Sequence, residues 1–138
     1  MIIDHIGIVV KSLEAGIKHW EGVFYYKQKT APVINTRQNV RVVFMSKENS
    51  TMIKLVEPID ETSPVFSFAQ RGGGLHHLCF KCKNINDELF SLKNMGYRIL
   101  KNPEPGEAFD NENIAFVYVQ HGLNIELIDT DKKAFTIK

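Results

Sequence analysis

His5-Ile6-Gly7-Ile8-Val9-Val10-Lys11 and His77-Leu78-Cys79-Phe80-Lys81-Cys82-Lys83 are one phrase written twice, 72 positions apart. Each starts on a histidine, runs through apolar residues and ends on a lysine. The same shift, without a gap, sets Arg41-Val42-Val43-Phe44 against Asn113-Ile114-Ala115-Phe116. It also sets Met52-Ile53-Lys54-Leu55-Val56 against Asn124-Ile125-Glu126-Leu127-Ile128. Three separated segments in one register identify an internal duplication. Equivalent residues of a duplicated unit lie around a pseudo-two-fold axis, so His5 is paired with His77 and Lys54 with Glu126.

Outward from these phrases, each half reads as strand, helix, then three strands. Met1 to Val10 predicts a buried strand, and Ser12 caps a helix to about Phe24, with Leu13, Ile17, Trp20 and Phe24 on one face. Asn84 caps the equivalent helix, in which Ile85, Leu89 and Leu92 recur, and Gly96 closes it. Strands follow at Lys27–Thr36, Val40–Ser46 and Thr51–Pro58, and again at Tyr97–Leu100, Asn113–Val119 and Leu123–Asp129. The turns are Lys47-Glu48-Asn49-Ser50 and Gln120-His121-Gly122. The fold class is therefore α+β, with two tandem βαβββ modules. Module one covers about residues 1–60, a linker about 61–74, and module two about 75–130, within a single domain 1–138. The linker predicts a short helix whose first residue is Pro64, and ends in Arg71-Gly72-Gly73-Gly74. Those glycines precede a strand instead of opening a helix, so they suit a crossover better than a phosphate loop.

With 138 residues, 43% of them apolar and 24% charged, the chain is long enough to bury one core. A net charge of +1, with lysines scattered singly, provides no basic stripe for nucleic acid. No apolar run approaches a membrane span and no leader precedes Ile2, so cytoplasmic residence is the expectation. Cys79 and Cys82 form a C-x-x-C string, but three apart on a strand they face opposite ways, which argues against a redox or zinc half-site.

On alternating strands His5, Gly7 and Val9 share one face, and His77, Cys79 and Lys81 share the equivalent one. Glu126 lies inside the apolar run Leu123–Ile128, where a carboxylate needs a partner. Two imidazoles and a carboxylate are a common shell for Zn, Fe, Co, Ni or Mn, so His5, His77 and Glu126 are candidate metal ligands. Cys79 shares the His77 face and is expected to border the same site as a substrate contact. His76 is expected to point away from that face, His19 and His121 are read as surface residues, and Glu107, Asp110 and Glu112 as a solvated acidic loop.

Asp4-His5-Ile6-Gly7-Ile8-Val9-Val10, Ile53-Lys54-Leu55-Val56-Glu57-Pro58, Ser63-Pro64, Gly74-Leu75-His76-His77-Leu78 and Ile125-Glu126-Leu127 resemble the vicinal-oxygen-chelate superfamily, most closely its methylmalonyl-CoA epimerases and glyoxalase-like proteins. The resemblance implies that the two modules curl into an open, cleft-shaped mixed β-sheet barrel with flanking helices. It also implies a divalent metal (Zn, Co, Ni, Mn or Fe) held by one residue from the first and last strand of each module. Carried over, those positions are His5, Lys54, His77 and Glu126. Lys54 departs from the Glu or Gln usual in epimerases, and an ammonium has no lone pair for a metal. Either a metal binds through the other three with Lys54 swung aside, or Lys54 takes the metal's place and pairs with Glu126.

The resemblance further implies an isomerase or lyase that moves a proton next to the carbonyl or thioester of a small acyl substrate, with an acyl-CoA as the candidate. Glu126 would be the base, and a metal or Lys54 would stabilise the enolate. Val42 stands where some epimerases carry a second carboxylate, and Gln38 and Arg41 flank it as candidate substrate contacts. A homodimer is expected on the same grounds. The alternatives are a non-catalytic small-molecule binding or sequestering protein using the same cleft, and a dioxygenase-type chemistry.

Overall fold

The computed structural model describes all 138 residues. The elements run β1 (Ile2–Val9), α1 (Leu13–Phe24), β2 (Lys27–Gln28), β3 (Val33–Asn35), β4 (Val40–Ser46), β5 (Met52–Pro58) and α2 (Phe66–Gln70). They continue with β6 (Gly74–Lys81), α3 (Ile85–Asn94), β7 (Arg98–Gly106), a 3-10 turn at Glu107–Phe109, β8 (Glu112–Tyr118) and β9 (Asn124–Ile128). All strands join one open mixed sheet in the order β2-β4-β5-β1-β6-β9-β8-β7, with β3 also on β4. The chain is α+β, as the periodicity predicts.

The duplication is visible in the pairing. β1 and β6 run antiparallel at the centre, β5 flanks β1 in parallel, and β9 flanks β6 in parallel. Helices cover one face. Leu13 of α1 packs with Val43, Met45, Ile53 and Leu55, and Ile85 and Leu89 of α3 pack with Ala115, Val117, Ile125 and Leu127. The opposite face gathers Val42, Phe44, Cys79, Phe109, Ile114 and Phe116 into one cluster drawn from both halves. Residues this far apart along the sheet meet only because it curls, so this face is concave.

Each helix start is fixed twice. Ser12 Oγ accepts from the Ala15 amide at 3.2 Å, and Asn84 Oδ1 from the Asp87 amide at 3.0 Å. In addition Glu57 Oε2 accepts from the Leu13 amide at 2.7 Å and Asp129 Oδ2 from the Ile85 amide at 3.0 Å. Glu57 and Asp129 are again 72 apart, each ending its module's sheet segment with a carboxylate on a helix N-terminus.

Three expectations change. The strand predicted over 27–36 is split in two, because Pro32 has no amide to donate and the Thr30 hydroxyl turns inward to accept from the Phe44 amide. The strand predicted over 97–100 runs on to Gly106 through Pro103 and Pro105, which an outer edge strand tolerates. The linker helix opens at Phe66, not Pro64; Pro64 and Val65 occupy a turn closed by the Phe66 amide on the Ser63 carbonyl at 3.1 Å. The segment after β9 folds back as a strap. Ala134 donates to the Ala108 carbonyl, Ala31 to that of Phe135, and Ile137 to that of Lys29, at 2.9, 3.0 and 2.8 Å.

Asp129→Ala removes the side-chain acceptor from the start of α3. It is expected to lower unfolding stability by about 1 kcal/mol, read from the midpoint of a urea transition.

Candidate active site

The concave face carries four charged or ionisable side chains at its centre. His5 is on β1, Lys54 on β5, His77 on β6 and Glu126 on β9. Register brings them together: Gly7 pairs with both Lys54 and His77, and Cys79 pairs with both His5 and Glu126. Gly7 is required there, since a Cβ on it would overlap the His77 imidazole. All four side chains are buried, His5 and Glu126 completely.

Glu126 Oε1 is 3.0 Å from His5 Nε2 and 3.2 Å from His77 Nε2, and the two ring nitrogens are 3.2 Å apart. Lys54 Nζ lies 3.6 Å from Glu126 Oε2. Neither carboxylate oxygen has a well-aligned hydrogen bond, so Glu126 is held by proximity to nitrogens. Burial works to raise the Glu126 carboxyl, but Lys54, His5 and His77 outweigh it and hold the group well below the usual carboxylate range. Burial pushes His77 down to about 4. Glu126 is thus an ionised carboxylate beside a neutral His77 at neutral pH.

The three converging atoms form a triangle of the size a metal shell uses. Ligands about 2.1 Å from one ion sit about 3.0 Å apart in a cis octahedral pair and about 3.4 Å apart in a tetrahedral one. The fourth family position does not fit. Lys54 has no lone pair to give while charged, and a divalent ion about 4 Å from its ammonium meets a repulsion of about 8 kcal/mol at an effective dielectric near 20. The residues present therefore do not suit a divalent ion.

Alternation along the strands misplaces one neighbour. β1 and β6 each carry a bulge, with Asp4 the extra residue on one and His76 on the other, 72 apart. The bulges turn both side chains onto the face of the histidine that follows. Asp4 Oδ2 accepts from His5 Nδ1 at 2.7 Å, which leaves His5 Nε2 toward Glu126. His76 Nδ1 meets His77 Nδ1 at the same 2.7 Å, so His76 does not point away as the pattern predicts. Two further groups carried no signal in the sequence pattern. Phe109 stacks on His5 with centroids 6.1 Å apart, and the buried Lys133 ammonium lies 3.2 Å from Asp4 Oδ1.

The remaining expected residues separate. Val42 is buried on the concave face among the apolar cluster. Cys79 is buried there too, and burial pushes its thiol up, away from thiolate. Gln38 lines a cavity of about 270 Å³ with Val65, His76, Lys101, Phe116 and Asn124. That cavity touches the cluster through His76 and through Phe116, whose ring meets His77 edge-on at 5.8 Å. Arg41 lies apart, bound to Glu14 at 2.6 Å and Glu57 at 3.0 Å. Glu107 is not merely solvated, because it accepts from the Thr36 amide and hydroxyl at 2.6 and 2.9 Å.

Residues 4–116 match the family model described as Glyoxalase/Bleomycin resistance protein/Dioxygenase superfamily. The chain belongs to this superfamily. Within it, the chain is similar to the ethylmalonyl-CoA/methylmalonyl-CoA epimerase of Cereibacter sphaeroides, 29% identical over 91% of this chain and 95% of that protein. It superposes on a hypothetical protein of Bacillus halodurans C-125 with TM-score 0.84, at 28% identity over 96% of each chain. It superposes with TM-score 0.82, at 25% identity over 99% of this chain and 97% of the other, on a methylmalonyl-CoA epimerase in complex with methylmalonyl-CoA and NH4+.

Gly7→Ala is expected to force the His77 ring off Glu126 and to cost about 1–3 kcal/mol, measured by chemical denaturation. Between pH 6.5 and 4 an unfolded His77 takes up a proton that the folded one refuses, so stability rises with pH across that window. Below it, Glu126 and Asp4, both lowered, lose their stabilising charge as they protonate. Thermal midpoints are expected to fall steadily from pH 7 to pH 4, and His77→Gln is expected to flatten the upper part of that slope.

Proposed function

We propose that this protein is an isomerase that moves a proton at the carbon next to a thioester carbonyl, acting on a small branched acyl-CoA of the methylmalonyl type. The observation that carries the proposal is the buried, ionised Glu126 with the Lys54 ammonium 3.6 Å from it, behind a substrate-sized cavity that reaches the cluster through His76 and Phe116. In this reading Glu126 takes the α-proton, and the C–H electrons move onto the thioester oxygen. Lys54 donates to that oxygen and offsets its developing charge in a site without bulk water. The same carboxyl, Glu126, gives the proton back once the planar enolate presents its opposite face, which inverts the centre; base, acid and cation are thus residues of this chain.

The cavity of about 270 Å³ suits the acyl and thioester end of such a substrate, with the rest of the coenzyme outside it. Lys101, Gln38 and Asn124 on its wall provide a cation and two amides for the carboxylate of a malonyl-type acyl group. A solved relative that holds methylmalonyl-CoA lends further support to a substrate of this class. A homodimer belongs to the same proposal, by analogy with the superfamily.

The test is interconversion of the two C2 epimers of methylmalonyl-CoA, followed by chiral chromatography. The natural protein is expected to equilibrate them, and Glu126→Gln to slow it at least a hundredfold while the cavity still binds the thioester. Tight binding of methylmalonyl-CoA with no interconversion would replace this reading by a sequestering protein using the same cleft, a role that Val42 in place of a second carboxylate favours.

A further inference from the structure

Two lysines, not one, reach the concave cluster. Lys54 Nζ lies 5.8 and 5.2 Å from the ring centroids of Phe44 and Phe109, and Lys133 Nζ lies 5.3 and 5.2 Å from the same two rings. Lys133 arrives on the strap, anchored directly after it by the Ala134 amide on the Ala108 carbonyl and by the Thr136 hydroxyl on the Lys133 carbonyl. Its side chain is 4% exposed and ends 3.2 Å from Asp4 Oδ1, while Asp4 Oδ2 holds His5. The charges around His5 and His77 are therefore two carboxylates, the partly buried Asp4 and the fully buried Glu126, and two buried ammonium groups, Lys54 and Lys133. They sum to zero.

A divalent ion placed among His5, His77 and Glu126 would leave two uncompensated positive charges in a buried site, where such charge is costly. Lysine is seldom buried unless it is paired. We infer that Lys54 and Lys133 together take over the double charge of a divalent metal, so that the natural chain carries no divalent ion at His5, His77 and Glu126. Lys54 neutralises the carboxylate that would ligate the ion. Lys133 neutralises the carboxylate that orients His5. The strap is thus part of the site, though no residue of it belongs to the duplicated strands. This inference concerns the charge of the site and does not depend on which reaction the site performs.

The test is metal binding, which needs no substrate. The full-length protein, purified without an affinity tag, is titrated with Co, Ni, Mn and Zn by calorimetry, with bound metal counted by elemental mass spectrometry. The natural chain is expected to retain less than a tenth of an equivalent. Lys54→Gln is expected to bind close to one equivalent of Co. Adding Lys133→Gln, whose amide still donates to Asp4 but carries no charge, is expected to tighten Co at least tenfold beyond Lys54→Gln alone. Adding Lys133→Arg instead, which keeps the charge, is expected to leave the affinity within twofold. Circular dichroism checks that each variant is folded, and the Gln and Arg pair at position 133 separates charge from packing. Near-stoichiometric metal in the natural chain would overturn the inference, and so would equal Co affinity for the Gln and Arg versions. Epimer interconversion is scored separately, so failure here and failure of the isomerase reading are told apart.

Discussion

A carboxylate with no access to water sits at the centre of this sheet, and the structure around it is arranged to keep it charged. Glu126 is fully buried and has no aligned hydrogen bond. Left alone it would take a proton, because burial disfavours the ion. Lys54 from the other half of the duplication and the two imidazoles prevent that. The strand register, the missing side chain at Gly7 and the paired bulges at Asp4 and His76 all help to set nitrogen atoms around one carboxylate.

The duplication makes this economical. In antiparallel β1 and β6, one step of pairing sets Gly7 against His77 and another sets Cys79 against His5. The parallel neighbours then add Lys54 beside Gly7 and Glu126 beside Cys79. Two symmetric positions thus carry opposite charges, which attract across the axis. Had both halves carried the carboxylate, the pair would repel and a cation between them would be needed. Asymmetry also enters through the bulges: Asp4 gives His5 a charged acceptor, whereas His76 gives His77 a second imidazole and opens toward the cavity.

Much of this was legible in the sequence. The 72-residue shift yields the two modules, both helix caps and the four central residues, because period-2 and period-3.6 patterns repeat in phase. What escaped depends on breaks in those patterns. His76 follows the alternation rule only if the strand is regular, and the bulge against Gly7 and Ile8 removes that condition. Lys133 lies in an irregular segment whose path is set by backbone bonds to Lys29, Ala31 and Ala108, which no periodicity encodes. Arg41 involves no such break: on regular β4 it alternates with Val42 and so falls on the helix face, where Glu14 and Glu57 bind it, but alternation alone does not say which of the two faces is concave. Phe109, on a 3-10 turn between β7 and β8, fills the bowl from a loop that reads as merely acidic.

The measurement closest to the central claim is hydrogen exchange at C2 of methylmalonyl-CoA in heavy water, followed by proton NMR with protein stripped of metal by a chelator. The account predicts loss of the C2 proton signal at an undiminished rate after stripping, since Glu126 and Lys54 supply both the base and the cation. Exchange that disappears on stripping and returns only with an added divalent ion would contradict it.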